Sequence, residues 1–496
     1  MTAKFILLLL VGCTAGASAG VIETTAGGDG VFRFSGTDHL IIDGRKDPDD
    51  NASPNTNQVM HETSLSGQLY NYSFNIDFTD RVGLDNYSSY VNAPFTLEKS
   101  SAKWEYHDWE LSLGDSHQEI GRGIALSLYR DDVFGIDNTL LGGTARFHPS
   151  SIDAEIFAGK IHSILSPVAI NPVDSTLLTR NVWIAGGTIA VDLSKETKVG
   201  LHYFGAAEIP NDPQKIDAVW HTAGAIFSRD NVLEGVDFYA ESNVLLSQSI
   251  FNGNSTALPT GFGSYGALVW SPSPWKVKWE VKDYRNDNFE FRRPPTLEED
   301  IIQTLDIVDV TGSRWMAERR WGEHTTVAAS FLYGYDRELQ GSINHGVVGI
   351  KFRAPFNVDV EARTGYRWVP GQENMIHGTL KAHMPTFTGQ SVEVSALIQY
   401  YNQRLNFTPT PDDRHVFGLA YNFSEKFSTN LGYEYVPTNS DSLGQSFLNI
   451  GGTFKTGALV ARVFAGQTSG GTVCSGGVCR VVPPFTGALA ETTYTF

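Results

Sequence analysis

Beyond its first twenty residues this chain has no long hydrophobic run. Phe5 to Val11 is a short apolar stretch, and nowhere else does the sequence approach the ~18 consecutive apolar residues that a membrane helix needs. Cysteine is nearly missing, with three in 496 residues, so no disulfide framework organises the fold. There is no Cys-x-x-Cys-His, which excludes covalent haem of the c type. Cationic side chains are the minority, 37 Lys and Arg against 55 Asp and Glu, and the net charge of −18 argues against nucleic acid as a partner. His117, His148, His221, His324 and His345 stand apart with no nucleophile in context. A triad needs a nucleophile, a base and an orienting group together, so no enzymatic activity and no catalytic residue is expected.

What the chain does have is an export signal. Lys4 gives the positive end, Phe5 to Val11 the apolar run, and Ala17-Ser18-Ala19 a small-residue cleavage pattern, placing the mature start at Gly20. Leu10-Val11-Gly12-Cys13 also resembles a lipoprotein box, but the signal would then be unusually short. An exported strand-patterned chain without membrane helices is either a closed barrel or a periplasmic or secreted β protein.

The strand pattern decides for the barrel. Tyr70, Tyr72, Phe74, Ile76 and Phe78 interleave with Asn71, Ser73, Asn75 and Asp77, and Phe427, Leu431, Tyr433 and Tyr435 with Ser428, Asn430 and Glu434. Successive strand side chains face opposite ways, so each such run has one lipid face and one wet face. With 49 glycines for turns and 12% aromatics for interfacial girdles, the expected class is all-β, a transmembrane antiparallel β-barrel. The chain stops on Tyr494-Thr495-Phe496, an aromatic alternation with which outer-membrane barrels commonly end and which the barrel insertion machinery reads. Walking back from it, short connections (Lys455-Thr456, Asn422 to Lys426, Arg229 to Asn231) alternate with long ones (Gln467 to Pro484, Tyr401 to Asp413, Asn286 to Gly312). Short turns inside and long loops outside are what such barrels show. The count is about 22 strands over residues 64–496, with residues 20–63 an accessory or plug segment carrying an extra strand at Val31 to Ile42. Barrels of that size are usually occluded by something folded inward.

Residues 114–139 are the leading candidate for that role. They mix glycines with Ile124, Leu126, Leu128 and Phe134, which an exposed loop has no need of, and with Arg122, Arg130, Asp131, Asp132 and Asp137, which suit a polar wall. These five charged residues are the expected pore constriction. Gly121-x-Gly123 lacks the third glycine and the βαβ setting of a nucleotide loop. Asp131, Asp132, Asp137 and Asn138 offer calcium-type oxygens without EF-hand spacing, so salt bridging is preferred and no metal or cofactor is expected. Residues 161–182 are a second inward candidate. Pro294-Pro295 followed by Thr296-Leu297-Glu298-Glu299 is a capping box for one helix in the long loop. Arg314, Arg319, Arg320, Arg353, Arg363 and Arg367 form a cationic subset that could line a lumen, although pairing with carboxylates explains them as well. Cys474 and Cys479, five apart in an exported chain, read as a local disulfide contributing about 2 kcal/mol, with a redox role as the alternative.

The block from Leu113-Gly114-Asp115 through Gly121-Arg122-Gly123 to Gly135-Ile136-Asp137-Asn138 resembles a family of large bacterial outer-membrane barrel proteins of uncharacterised function. So does the closing stretch from Gly470-Gly471-Thr472-Val473-Cys474 to Cys479-Arg480-Val481-Val482-Pro483-Pro484. The resemblance implies an outer-membrane location and a Cys474–Cys479-linked extracellular loop, and supplies no substrate. Where the insertion signature usually has Gly, five residues before the terminal aromatic, this chain has Glu491. The expected function is porin-like passage of a solute, with outer-membrane lipids and the insertion machinery as partners. The alternative is a barrel that docks or sheathes a protein partner or exported polymer.

Overall fold

In the computed structural model the described residues are 24–26, 30–45, 56–83, 93–131, 136–164, 179–209, 217–251, 254–286, 291–295, 309–337, 340–369, 374–386, 389–401, 413–437, 444–469, 471–475, 478–482 and 485–496. Wall strands pair antiparallel with their sequence neighbours from Gly30–Arg45 to Phe485–Thr495, and these two then pair with each other, Thr37 opposite Thr495 and Arg45 opposite Gly487. The Gly36 N–H donates to Phe496 O at 2.8 Å, and the Phe496 N–H donates back to Gly36 O at 2.8 Å. Among the described residues the wall has 24 strands, closed without a free edge, as backbone polar groups in lipid require. Two extra short strands join the sheet among the described residues: Thr24–Ala26 folds back on the start of the first wall strand, and Asn254–Ala257 on the end of Val236–Phe251.

Two expectations from the sequence change. The wall has 24 strands rather than about 22, and the boundary at residue 64 falls in mid-strand. Val31 to Ile42 belongs to the wall, between Thr56–Leu69 and the last strand, so residues 30–63 are not an accessory segment. Two turns also shift: strand Asp217–Leu233 runs past an irregularity after Arg229 to turn at Glu234-Gly235, and the turn expected at Lys455-Thr456 lies at Gly457-Ala458. The short turns share one end with Phe496, while the long connections, including 117–139 and 286–309, share the other.

The wall inverts the soluble rule for which side chains are buried. In Thr197–Ile209, Leu201 and Tyr203 are 58% and 53% exposed, whereas His202 and Phe204 are 5% and 0% exposed. The outward face is apolar, and the inward face is polar except where residues such as Phe204 are covered from within, which is the signature of a barrel in lipid. Trp270, Trp275 and Trp321 stand exposed on the outer face beside the short turns, where indoles suit the boundary between lipid and water.

Candidate functional site

Among the described residues the wall is interrupted by one segment that turns inward. Ser116 lies opposite Leu140 in the pairing of Trp109–Ser116 with Leu140–Phe147, so residues 117–139 leave the wall and return to it at the same level. Within them Gln118–Ile120 and Leu126–Leu128 form a separate small hairpin with Glu119 opposite Ser127. Ile120, Ile124, Leu126 and Leu128 are all at most 1% exposed. Ile120, Leu126 and Leu128 pack with Leu140, Phe157, Ile161, Val182 and Phe204, while Ile124 packs with Tyr265, Tyr284 and Leu332. Each such side chain contributes about 1.5–3 kcal/mol to seating the hairpin.

The tip is shaped by two glycines. Gly121 and Gly123 have φ of 59° and 76°, a left-handed backbone that other residues adopt at a cost. A Cβ on Gly121 would lie 2.3 Å from the Glu241 carboxylate, and one on Gly123 2.8 Å from Arg293 O. Between them Arg122 lies over the Tyr239 ring at 4.2 Å and the Tyr265 ring at 5.3 Å, and its Nη1 donates to Tyr265 Oη at 3.1 Å. The Arg122 N–H and the Tyr239 hydroxyl both donate to Glu241 Oε2, at 2.8 and 2.7 Å. Tyr265 Oη donates to Glu280 at 2.5 Å, and Glu280 also holds Lys278 and Arg314, each at 2.8 Å.

The long loop reaches in to hold the hairpin. The Ser127 N–H donates to Phe291 O at 2.9 Å, the Arg293 N–H donates to Gly123 O at 3.0 Å, and Arg293 lies over Tyr129. Phe291 is buried in the same cluster as Leu126. The helix expected from the capping box falls in 296–308, outside the described residues.

At the other end Lys99 Nζ donates to Asp137 at 2.8 Å and to the Thr139 hydroxyl, and lies 3.4 Å from Asp115. Burial pushes the Asp137 carboxyl up, but the Lys99 ammonium and the two Thr139 donors outweigh it and hold the group below the usual aspartate range. Beside this clasp is a cavity of about 590 Å³, lined among others by Asp77, Lys99, Asp115, His117 and Arg130. The expected constriction residues therefore do not converge. Arg122 sits at the tip, Arg130 and Asp137 sit beside Lys99, the side chain of Asp131 and all of Asp132 lie outside the described residues, and most of 161–182 does too. Among the described residues no group of three or more His, Cys, Asp or Glu could hold a metal ion.

Sequence reading missed the wall partners Lys99, Tyr239, Glu241, Tyr265 and Glu280, whose alternation shows only that they face inward, and Asp115, which alternation would place outward with Leu111 and Leu113. The arginine subset divides. Arg314 and Arg353 hold Glu280 and Asp359, whereas Arg319 faces outward between Trp275 and Trp321. Beside the wall residues Phe204 and Leu245 that the hairpin packs on, both ring nitrogens of His202, Thr222 Oγ1 and Asn243 Oδ1 are buried with no hydrogen-bond partner among the described residues. Cys474 and Cys479 stand opposite each other in the two-stranded ribbon Gly471–Ser475 and Val478–Val482.

This architecture is that of an outer-membrane β-barrel. The model of a family of unknown function, DUF6029, matches residues 393–496. No curated protein matches the sequence. Among solved structures, a mutant of the ferric enterobactin receptor PfeA from Pseudomonas aeruginosa superposes with a TM-score of 0.50 at 9% identity, over 93% of this chain and 80% of that one. The siderophore receptor PirA of the same organism gives 0.49 at 9% identity, over 93% and 80%. Its OpdQ gives 0.39 at 12% identity, over 75% and 97%. At 9% identity the likeness to PfeA is one of fold alone.

Proposed function

We propose that this barrel passes a polar solute across the outer membrane, with residues 117–139 as its constriction. The observation that carries this reading is the hairpin's one-sided seat. Its apolar contacts run along the wall from Leu140 to Leu332. Twenty-four strands about 4.8 Å apart and tilted about 40° enclose a ring roughly 45 Å across, far wider than a two-stranded hairpin. The hairpin narrows such a lumen without sealing it. The inward face offers polar groups to the remaining path at the cavity lined by Lys99, Asp115, Arg130 and His117.

Planar-bilayer recording of the purified barrel tests the reading, with and without a deletion of 118–137. A steady conductance that rises on deletion is expected. Silence from both proteins sinks the pore, and stoichiometric co-purification of a periplasmic or exported partner would then favour a docking barrel.

A further inference from the structure

The outer face carries a cation with no carboxylate. Arg146, Arg314, Arg353, Arg414 and Arg462 each lie against an Asp or Glu. Arg319 has no such partner among the described residues, and its Nε is buried with no hydrogen-bond acceptor. Its guanidinium lies instead over two indoles, 5.0 Å from the Trp275 ring and 4.7 Å from the Trp321 ring. Trp275 is directly opposite Arg319 on the neighbouring strand, and Trp321 lies two positions along its own, so all three share the outward face. They stand next to the turns at 271–274 and 322–324, at the short-turn rim that faces the periplasm in such barrels.

Farther from the rim, the same outward face is hollow. Trp279 and Trp315 stack at 5.2 Å, four residues beyond Trp275 and Arg319 respectively, or about 13 Å along the strand. From Trp279 a groove of about 830 Å³ runs on, walled by Phe227, Phe238, Leu268, Val281 and Tyr333 over the small side chains of Ala240 and Ser264. Its serines are already engaged: Ser242 bonds Ser264 at 2.9 Å, and Ser313 accepts from Trp279 Nε1 at 2.8 Å. Apart from Asp283 at its far end, which Arg285 and Arg337 hold, the groove presents apolar surface to the bilayer, with a stacked cation that has no carboxylate near its membrane-boundary end.

We propose that this combination is a phospholipid site, in which Arg319 binds the headgroup phosphate and the groove above takes the acyl chains. A planar guanidinium offers several donors to a phosphate, and stacking on indoles fixes its plane in advance. The phosphate supplies the charge that Arg319 lacks, and the chains cover the groove that the outer wall leaves open. The lipid is a periplasmic-leaflet glycerophospholipid, since the clamp lies at that rim. The site is independent of whether the lumen conducts.

The test is lipid retention. Full-length barrel would be delipidated by detergent exchange, incubated with dioleoyl phosphatidylethanolamine, and examined by native mass spectrometry for lipid that survives activation. Wild type should retain at least about tenfold more of a bound lipid than Arg319→Gln, the loss of a charge-assisted contact. Trp275→Leu should fall in the same direction. Arg320→Gln, which by alternation faces the lumen, should match wild type. Dioleoylglycerol, which has the chains and no phosphate, should not be retained. Equal retention by Arg319→Gln, or retention of dioleoylglycerol as strong as that of the phospholipid, would overturn the proposal. Heat-modifiable gel migration checks that each variant is closed, and should Arg319→Gln fail there, Trp321→Leu carries the comparison.

Discussion

His39 Nε2 lies 2.8 Å from Glu491 Oε1, a side-chain bond that joins the first wall strand to the last. The other ring nitrogen lies 3.3 Å from Glu62, and Arg462 reaches Glu491 at 3.4 Å. Glu491 stands where the insertion signature usually has Gly, and the structure gives the departure a physical role: it bridges three strands at the seam. Glu491→Ala should weaken closure by about 1 kcal/mol, since the groups are only partly buried. The check is the temperature at which the barrel loses its fast, heat-modifiable migration; an unchanged midpoint would remove Glu491 from the account of closure.

Gly121→Val tests the seat of the hairpin tip. The new side chain must adopt a left-handed φ and meets the Glu241 carboxylate at contact distance. The tip should lift, and amide exchange across 118–128 should speed by an order of magnitude or more for a cost of roughly 2 kcal/mol. Arg122→Ala should act in the same sense through loss of stacking on Tyr239 and Tyr265.

The wall beneath the hairpin predicts the opposite response. His202, Thr222 and Asn243 bury polar atoms with no protein partner among the described residues, and a buried polar group left unpaired costs about 1–3 kcal/mol, so removing such groups should favour the seated hairpin. Thr222→Val with Asn243→Leu keeps the shapes and removes two of those groups. Exchange in 118–128 should slow at least about tenfold and any conductance should fall, while Ser242→Ala on the outer face of the same strand should change neither.

Acid should loosen the other end. Asp137 has a folded-state pKa below its unfolded one, so its bond to Lys99 contributes fully above the usual aspartate range and is lost as pH falls through the lowered value. Protection of 136–140 should stay flat from pH 7 to about pH 4 and drop below that. Asp137→Asn should show the reduced protection at every pH; a steady decline from pH 7 would point to a different group.

The facing positions of Cys474 and Cys479 on their ribbon predict a disulfide in the exported protein. Alkylation without reductant should label neither, and Cys474→Ser should free Cys479. Labelling of both in unreduced protein would leave the ribbon uncrosslinked.

Much of this fold was legible because a membrane wall writes its periodicity into every strand. Tyr72, Phe74 and Ile76 against Ser73, Asn75 and Asp77 need no partner to be read. The first strand hid because Leu40-Ile41-Ile42 breaks the alternation, and because its pairing to Phe485–Thr495 spans nearly the whole chain. That a segment near 114–139 turns inward could be anticipated from apolar residues with no reason to be exposed, but 114 is too early a start, since Gly114 to Ser116 complete a wall strand. What holds the segment could not be anticipated. Phe291 and Glu241 come to Leu126 and Arg122 from more than a hundred residues away, and alternation gives a face but not a height.

The reciprocal bonds between Gly36 and Phe496 also set an order of events. A ribosome finishes the strand Gly30–Arg45 long before Phe485–Thr495 exists, so the first strand must wait with one side unpaired through the synthesis and export of everything between. Until then it is an open edge, a template for any other strand that passes. A chain stalled before residue 485 would therefore carry an unsatisfied edge into the periplasm, and chaperones that mask such edges should be found on it.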